Sequence, residues 1–296
     1  MNRNWTRRQL LHGTLGALAA ACAPARDERP ANVPRSGPRS LAEIEETVGG
    51  RVGVFALDTG TGRQLAHRPD ERFAMCSTFK WVLAAAVLAR VDRGELSLDD
   101  RVAYGSDDLL DHAPVTRARV TDGTMTVEAL AQAAVTVSDN TAANLLLAKT
   151  GGPTGLTAFV RQHADTVTRL DRDEPTLNDN TPQDPRDTTS PRAMALLMRE
   201  LLCGDALSAA SRERLLGWMR TSDTGRDRLR AGLPAGWSAG DKTGTGQRGS
   251  VNDVAIAWPP GRAPVLVAAY LSDSDAALPS LAGAHAEIGR LVAQQL

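Results

Sequence analysis

Ser77-Thr78-Phe79-Lys80 opens the run Trp81-Val82-Leu83-Ala84-Ala85-Ala86-Val87-Leu88-Ala89, and the rest of the chain is organised around this stretch. The run is apolar and built of helix formers, so it reads as a helix over 77–91. On a helix, Ser77 and Lys80 at i and i+3 lie one above the other on a single face. A serine hydroxyl titrates far above neutral pH and needs a base to act as a nucleophile. Burial of the helix would desolvate the lysine ammonium, lower its pKa and put a base within reach of that hydroxyl. Ser77 would also sit at the helix N-terminus, where unpaired N–H groups and the dipole favour developing negative charge. The plainer reading is an N-cap serine with a surface lysine one turn on, and a chain of this length holds about one Ser-x-x-Lys by chance.

Lysine usage separates the two readings. Of the 34 Lys and Arg residues only Lys80, Lys149 and Lys242 are lysine. A chain that uses arginine for generic charge keeps lysine where it needs a compact or deprotonatable group. Lys149, before Thr150-Gly151-Gly152, has the simpler role of a cation at a helix C-terminus.

With 296 residues, 42% hydrophobic and 23% charged, the chain suits one large domain or two interleaved subdomains. A net charge of −1 with no basic run argues against a nucleic-acid surface, and 4% aromatics against base stacking. The five histidines are scattered and the three cysteines form no C-x-x-C, so neither a zinc site nor another metal or cofactor is expected. Arg7-Arg8-Gln9-Leu10-Leu11 followed by the apolar stretch to Ala21 reads as a twin-arginine-like export signal over 1–23. The apolar part is too short for a permanent transmembrane helix. Leu18-Ala19-Ala20-Ala21-Cys22 loosely resembles a lipobox, which leaves lipid anchoring through Cys22 open beside free secretion. Cys76 and Cys203 are expected as free thiols.

Residues 24–39, rich in Pro, Arg and Asp, read as a flexible linker. A helix is expected over 41–48, then a β-hairpin from 51–57 and 63–68 around a Gly-rich turn. Helical patterns follow at 127–137, 141–149, 192–202 and 208–220, strands at 237–242, 251–258 and 264–271, and a last helix at 279–294. Strands and helices at both ends imply one antiparallel sheet, flanked by helices, built from 40–75 and 221–296. An all-α subdomain over 76–220 would be inserted between them, giving an α+β fold.

Three further segments carry polar chemistry. Ser138-Asp139-Asn140 precedes a helix and is ordinary capping sequence. It also offers Ser138 as a proton relay and Asn140 as a hydrogen-bond partner for an amide. Lys242-Thr243-Gly244-Thr245 sits on an expected strand, where Gly244 lets a ligand approach the backbone and Lys242 with the threonines suits a carboxylate. Glu174-Pro175-Thr176-Leu177-Asn178 lies in a long loop over 168–191, and a buried glutamate beside an asparagine could hold and deprotonate a water.

In this order and spacing, Ser77-x-x-Lys80, Ser138-Asp139-Asn140 and Lys242-Thr243-Gly244 resemble the signature of the class A serine β-lactamases, and the resemblance extends over 40–296. It implies the serine β-lactamase/D,D-peptidase-like fold, a β-lactam substrate and a monomer. It implies Ser77 as the acylated nucleophile with Lys80 as its hydrogen-bonded partner, and Ser138 as the proton shuttle. Asn140 would bind the acylamide side chain, and Glu174 with Asn178 would hold the deacylating water. Backbone N–H groups of Ser77 and Thr245 would make the oxyanion hole. Whether Lys80 or Glu174 is the acylation base stays open. Arg172 and Asp187 match the ion pair closing the family's Ω-loop, and Asn144 its anchor, with Asp139 a structural support.

The departures are informative. Val251 stands where many members have a carboxylate-binding arginine, and Arg228 matches the alternative source of that guanidinium or is one more surface arginine. His112 aligns with an aromatic residue at the pocket mouth, in a stacking role or as a plain loop histidine. Gly246 stands where some members have a disulfide partner for Cys76, so no such cross-link is expected. A D,D-peptidase or a non-hydrolysing β-lactam sensor shares the first three motifs. The Glu174–Asn178 pair is what discriminates, because rapid deacylation needs a positioned water and base.

Overall fold

The computed structural model describes residues 40–296; the expected signal over 1–23 and linker over 24–39 lie outside the described residues. Ser40 caps helix α1 (Leu41–Val48) in a reciprocal box with Glu43. Strand β1 (Arg51–Asp58) turns through Gly60 and Thr61, whose N–H groups both donate to Asp58 Oδ1, into β2 (Gln64–His67). Near the other end of the chain come β3 (Ser238–Thr245), β4 (Val251–Trp258), β5 (Val265–Ser272) and a long helix, α8 (Leu278–Gln295). Between β2 and β3 lie α2 (Phe79–Asp92), α3 (Val127–Thr136), α4 (Asn140–Thr150), α5 (Gly152–Gln162), α6 (Pro191–Met198) and α7 (Ala209–Arg220).

The five strands form one antiparallel sheet in the order β2-β1-β5-β4-β3, so β1 from the first part of the chain pairs with β5 from the last. Side chains alternate across it with the strand period of two. Val52, Val54 and Ala56 join Val265, Val267 and Ala269 under α1 and α8, through Ile44, Leu281, Ile288 and Leu291. Phe55, Leu57, Leu266, Ala268 and Tyr270 face the other way into the larger core with α2. Every residue from Phe79 to Ala89 is buried, as a helix apolar all round requires. Helix α2 packs against α3, α4 and α7 and is the axis of the helical part. Each leucine or valine buried there contributes about 1.5–3 kcal/mol.

Differences from expectation lie at boundaries. Residues Cys76–Thr78 form a 3₁₀ turn, and the α-helix begins only at Phe79. Cys76 has a left-handed φ of 45°, which bends the chain from the short strand Phe73–Ala74 into that turn. Helix α5 adds to the helices singled out within 76–220: Gly151 in a left-handed conformation ends α4, and Pro153 lies in the first turn of the next helix, where its missing N–H costs nothing. Helix α6 passes at Arg199 into a π-helical turn ending at Cys203. Strand β3 runs three residues beyond the expected end at 242 and carries the whole Lys-Thr-Gly motif.

Candidate active site

The 3₁₀ turn at the head of α2, the loop before α4, the 168–187 loop and strand β3 meet at a cavity of about 300 Å³. It is lined by Ser77, His112, Ser138, Asn140, Asn178, Thr224, Arg228, Thr243, Gly244 and Thr245. Close approach of β3 to the Ser77 turn depends on Gly244, since a Cβ there would lie 2.8 Å from Met75 O and 3.1 Å from Ser77 N. Asn252 on β4 ties the same turn down, donating to Ala74 O at 2.9 Å and Met75 O at 3.2 Å.

Lys80 is fully buried. Its Nζ donates to Asn140 Oδ1 at 2.5 Å and Ser138 O at 2.8 Å, and lies 2.9 Å from Glu174 Oε1. Burial lowers its pKa while the Glu174 carboxylate works against that shift. With Ser138 Oγ at 3.4 Å as a fourth and longest neighbour, the acceptors satisfy all three N–H donors of the ammonium. Ser77 Oγ donates instead to Glu174 Oε1, at 3.2 Å. The hydroxyl expected on Lys80 is therefore on the carboxylate, and the lysine reaches it through that shared oxygen.

Ser138 adopts a left-handed φ of 61°. Asp139 behind it is wholly buried and caps α4, taking Ala142 N and Thr116 Oγ1 on one oxygen and the backbone N–H groups of Val115 and Thr116 on the other. It is the support that the sequence suggests. Ser138 Oγ accepts from Lys242 Nζ at 3.1 Å and Lys80 Nζ at 3.4 Å. Both ammonium groups can only donate, so the Ser138 proton is free to point into the cavity. Lys242, fully buried on β3, is pushed down to about 7 by burial and then by Lys80.

Glu174 is 3% exposed and held by its backbone. Asn144 on α4 donates to Glu174 O at 2.8 Å and accepts from Glu174 N at 3.0 Å. Asn178 Nδ2 donates to Glu174 Oε2 at 2.7 Å, while Asn178 Oδ1 is buried with no hydrogen-bond partner among the described residues. The loop is closed at its neck by Arg172 Nε on Asp187 Oδ2 at 2.6 Å, and Asp187 Oδ1 accepts from the N–H groups of Asp171 and Arg172. Leu177 anchors the loop into the core.

Arg228 is not a surface arginine. It is 6% exposed and donates to Gly244 O at 2.9 Å, Asn252 O at 2.7 Å and Thr245 Oγ1 at 2.8 Å. His112 Nε2 lies 3.0 Å from Val137 O, and since a carbonyl only accepts, that nitrogen carries the proton. The exposed ring is thereby pinned at the cavity mouth. Cys76 and Cys203 are free thiols, and burial pushes Cys76 up to about 12. A Cβ on Gly246 would lie 2.6 Å from Cys76 Sγ. Thr224 and Asn252 were not picked out from the sequence. Thr224 stands in the Ser222-Asp223-Thr224-Gly225 turn, whose only sequence signal is its proximity to Arg228.

Residues 39–296 match the family described as the β-lactamase enzyme family. The chain is 46% identical over 282 residues to β-lactamase AST-1 of Nocardia asteroides, covering 92% of this chain and 90% of that one. It is 49% identical over 231 residues to the carbapenem-hydrolysing β-lactamase KPC of Klebsiella oxytoca, covering 78% of each. Its fold superposes on a solved ancestral (GNCA) class A β-lactamase with a TM-score of 0.85 at 58% identity, covering 86% of this chain and 98% of that one. Since the match runs through the whole described part, the chain belongs to the β-lactamase enzyme family and is a class A serine β-lactamase, a hydrolase of β-lactams.

Proposed function

We propose that Ser77 opens the β-lactam ring and that Glu174 serves it twice. The Ser77 Oγ–Glu174 Oε1 contact of 3.2 Å supports the carboxylate as acceptor of the serine proton during attack on the lactam carbonyl. Lys80, 2.9 Å from the same oxygen, stabilises the carboxylate and links it to Ser138. The Ser77 and Thr245 N–H groups receive the developing oxyanion; losing one such donor typically costs about 3 kcal/mol. Ser138 delivers its proton to the departing ring nitrogen, and the proton that Glu174 took from Ser77 passes through Lys80 to the Ser138 oxygen, which restores Ser138 and leaves Glu174 ionised for the second half. Lys242, Thr243, Thr245 and Arg228 hold the substrate carboxylate, Asn140 Nδ2 the acylamide carbonyl, and His112 flanks the entrance. Gly244 admits the substrate alongside the strand.

In the second half, a water donates to Glu174 and to Asn178 Oδ1 and attacks the ester, while Glu174 takes its proton and returns one to Ser77 Oγ. The observation that carries this reading is the buried carboxylate within hydrogen-bond reach of the nucleophile, beside an asparagine acceptor that has no partner among the described residues. A D,D-peptidase or sensor has no use for it. Residues 40–75 with 221–296 and residues 76–220 act as two subdomains with the site at their junction. The enzyme works as a monomer on a small substrate, without metal, cofactor or nucleic acid. It is exported by the twin-arginine-like segment, either freely or anchored through Cys22; among the described residues no helix is long and apolar enough to cross a membrane.

Mass spectrometry of Glu174→Gln mixed with benzylpenicillin tests the mechanism. One covalent adduct is expected that forms more slowly than the wild-type acyl-enzyme, because the acceptor of the Ser77 proton is gone, and then persists for minutes, against none on Ser77→Ala. Turnover by Glu174→Gln at the wild-type rate would remove the carboxylate from deacylation.

A further inference from the structure

We propose that Thr224 and Ser222 form a hydroxyl relay between the carboxylate-binding edge of the site and the buried Asp241–Arg230 ion pair, and that an anionic substrate reverses this relay as it binds. The inference rests on the reading of Thr243, Thr245 and Arg228 as the substrate-carboxylate site.

Thr243 Oγ1 donates to Thr224 Oγ1 at 2.6 Å. Thr224 Oγ1 lies 3.4 Å from Ser222 Oγ, the longest step, and Ser222 Oγ donates to Asp241 Oδ2 at 3.1 Å. Asp241 Oδ1 pairs with Arg230. Gly225 makes room for the carboxylate, since a Cβ there would lie 2.1 Å from Asp241 Oδ2. Ser222, Asp241 and Thr243 are 1%, 0% and 5% exposed, so water does not compete along the inner part of the chain. Burial raises the Asp241 pKa, and Arg230 with Ser222 works against it; the ion pair of the guanidinium with Oδ1 is the contact that favours the carboxylate form.

The two ends fix the direction. An ionised carboxylate only accepts, and each hydroxyl has a single proton. With Ser222 committed to Asp241, Thr224 donates to Ser222 and Thr243 to Thr224. Every proton points away from the cavity, and Thr243 presents a lone pair to it. A substrate carboxylate accepts as well, so Thr243 must turn its proton outward. Thr224 then donates to Thr243, and Ser222 to Thr224. Asp241 Oδ2 gives up its donor while Oδ1 keeps Arg230. Only hydroxyl rotors turn; no covalent bond breaks and no proton changes residue. A charge-assisted bond to Asp241 is lost, which outweighs the mutual strengthening of hydroxyls in series. The relay therefore works against anion binding, and Ser222 and Thr224 are positioning residues acting through Thr243.

Steady-state kinetics on benzylpenicillin and its methyl ester, with wild type, Thr224→Val, Thr224→Ser and Ser222→Ala, test this. Cutting the relay frees the Thr243 proton, so Thr224→Val and Ser222→Ala should lower KM for benzylpenicillin about tenfold, with kcat within about twofold. Thr224→Ser keeps the hydroxyl and should behave as wild type. The ester carries no anion, and its KM should move less than about twofold in every variant. A raised or unchanged KM for benzylpenicillin in Thr224→Val, or an equal shift with the ester, overturns the relay. Should Ser222→Ala fail to fold, the half-buried Thr224 pair decides alone. Absence of hydrolysis by the wild type would instead sink the functional reading beneath it.

Discussion

Asn144→Ala removes the clamp on the Glu174 backbone without touching a reacting atom. The two bonds lost are 2.8 and 3.0 Å long and both go to neutral amide groups. Each contributes about 0.5–1.5 kcal/mol, and a buried polar group left unpaired costs more. Glu174 is buried and the rest of the loop keeps its Arg172–Asp187 neck, so a local loss of about 2 kcal/mol is expected rather than unfolding. If the loss falls on the geometry that holds Glu174 against Ser77 and the water, 2 kcal/mol corresponds to about a 30-fold slower deacylation. The same loss should lower Tm by about 4–8 °C. Stopped-flow hydrolysis of nitrocefin would show a burst, as acyl-enzyme accumulates, and differential scanning fluorimetry would report Tm. Asn144→Asp keeps the shape but replaces the donor to Glu174 O with an acceptor, and should fare no better. Wild-type turnover with an unchanged Tm in Asn144→Ala would show that the loop positions Glu174 without α4.

Further outcomes follow at three other positions. Lys242 is pushed down to about 7, so its charge is lost as pH rises through that value and KM for benzylpenicillin should climb above it; Lys242→Arg, always charged, should flatten that limb. Between about pH 7 and the ordinary lysine value of 10.5 the unfolded chain holds the proton that the folded one has released, so this group's contribution to stability rises with pH there, which urea titrations would register. Arg228→Ala breaks three buried hydrogen bonds and should lower kcat/KM for carboxylate-bearing substrates by about 10- to 100-fold; an unchanged value would leave Arg228 a purely structural strut. Gly246→Ala drives a methyl against Cys76 Sγ and crowds Asn178 O, so a loss of about 1–3 kcal/mol is expected in chemical denaturation; adding Cys76→Ala should recover part of it, and strict additivity would contradict the packing.

Much of the fold was legible because it follows from period and punctuation. The apolar run after Lys80 and the short continuous apolar runs of β1 and β5, bounded by turn residues, state their secondary structure locally. What stayed open was local too. Gly151-Gly152-Pro153 is as good an opening for a helix as an ending, and only the packing of α5 against α4 decides which. The bend that moves the helix start from Ser77 to Phe79 depends on Cys76 holding φ 45°, a conformation its residue type does not advertise.

The candidate site divides along the same line. Motif order and spacing picked out the side chains proposed to react, because Ser77 with Lys80 and Ser138 with Asn140 are set by a turn or two of chain. They also told that Lys80 and Lys242 were not generic charges. Proximity across the chain was decided elsewhere: that Ser77 Oγ faces Glu174 rather than Lys80, that Arg228 lies under Thr245, and that Thr243 connects through Thr224 and Ser222 to Asp241. Those contacts join residues far apart in sequence, through hydrogen bonds of 2.6 to 3.2 Å. Residue types specify which bonds are possible, but only the packed sheet and helices bring donor and acceptor to the distance at which one of them forms.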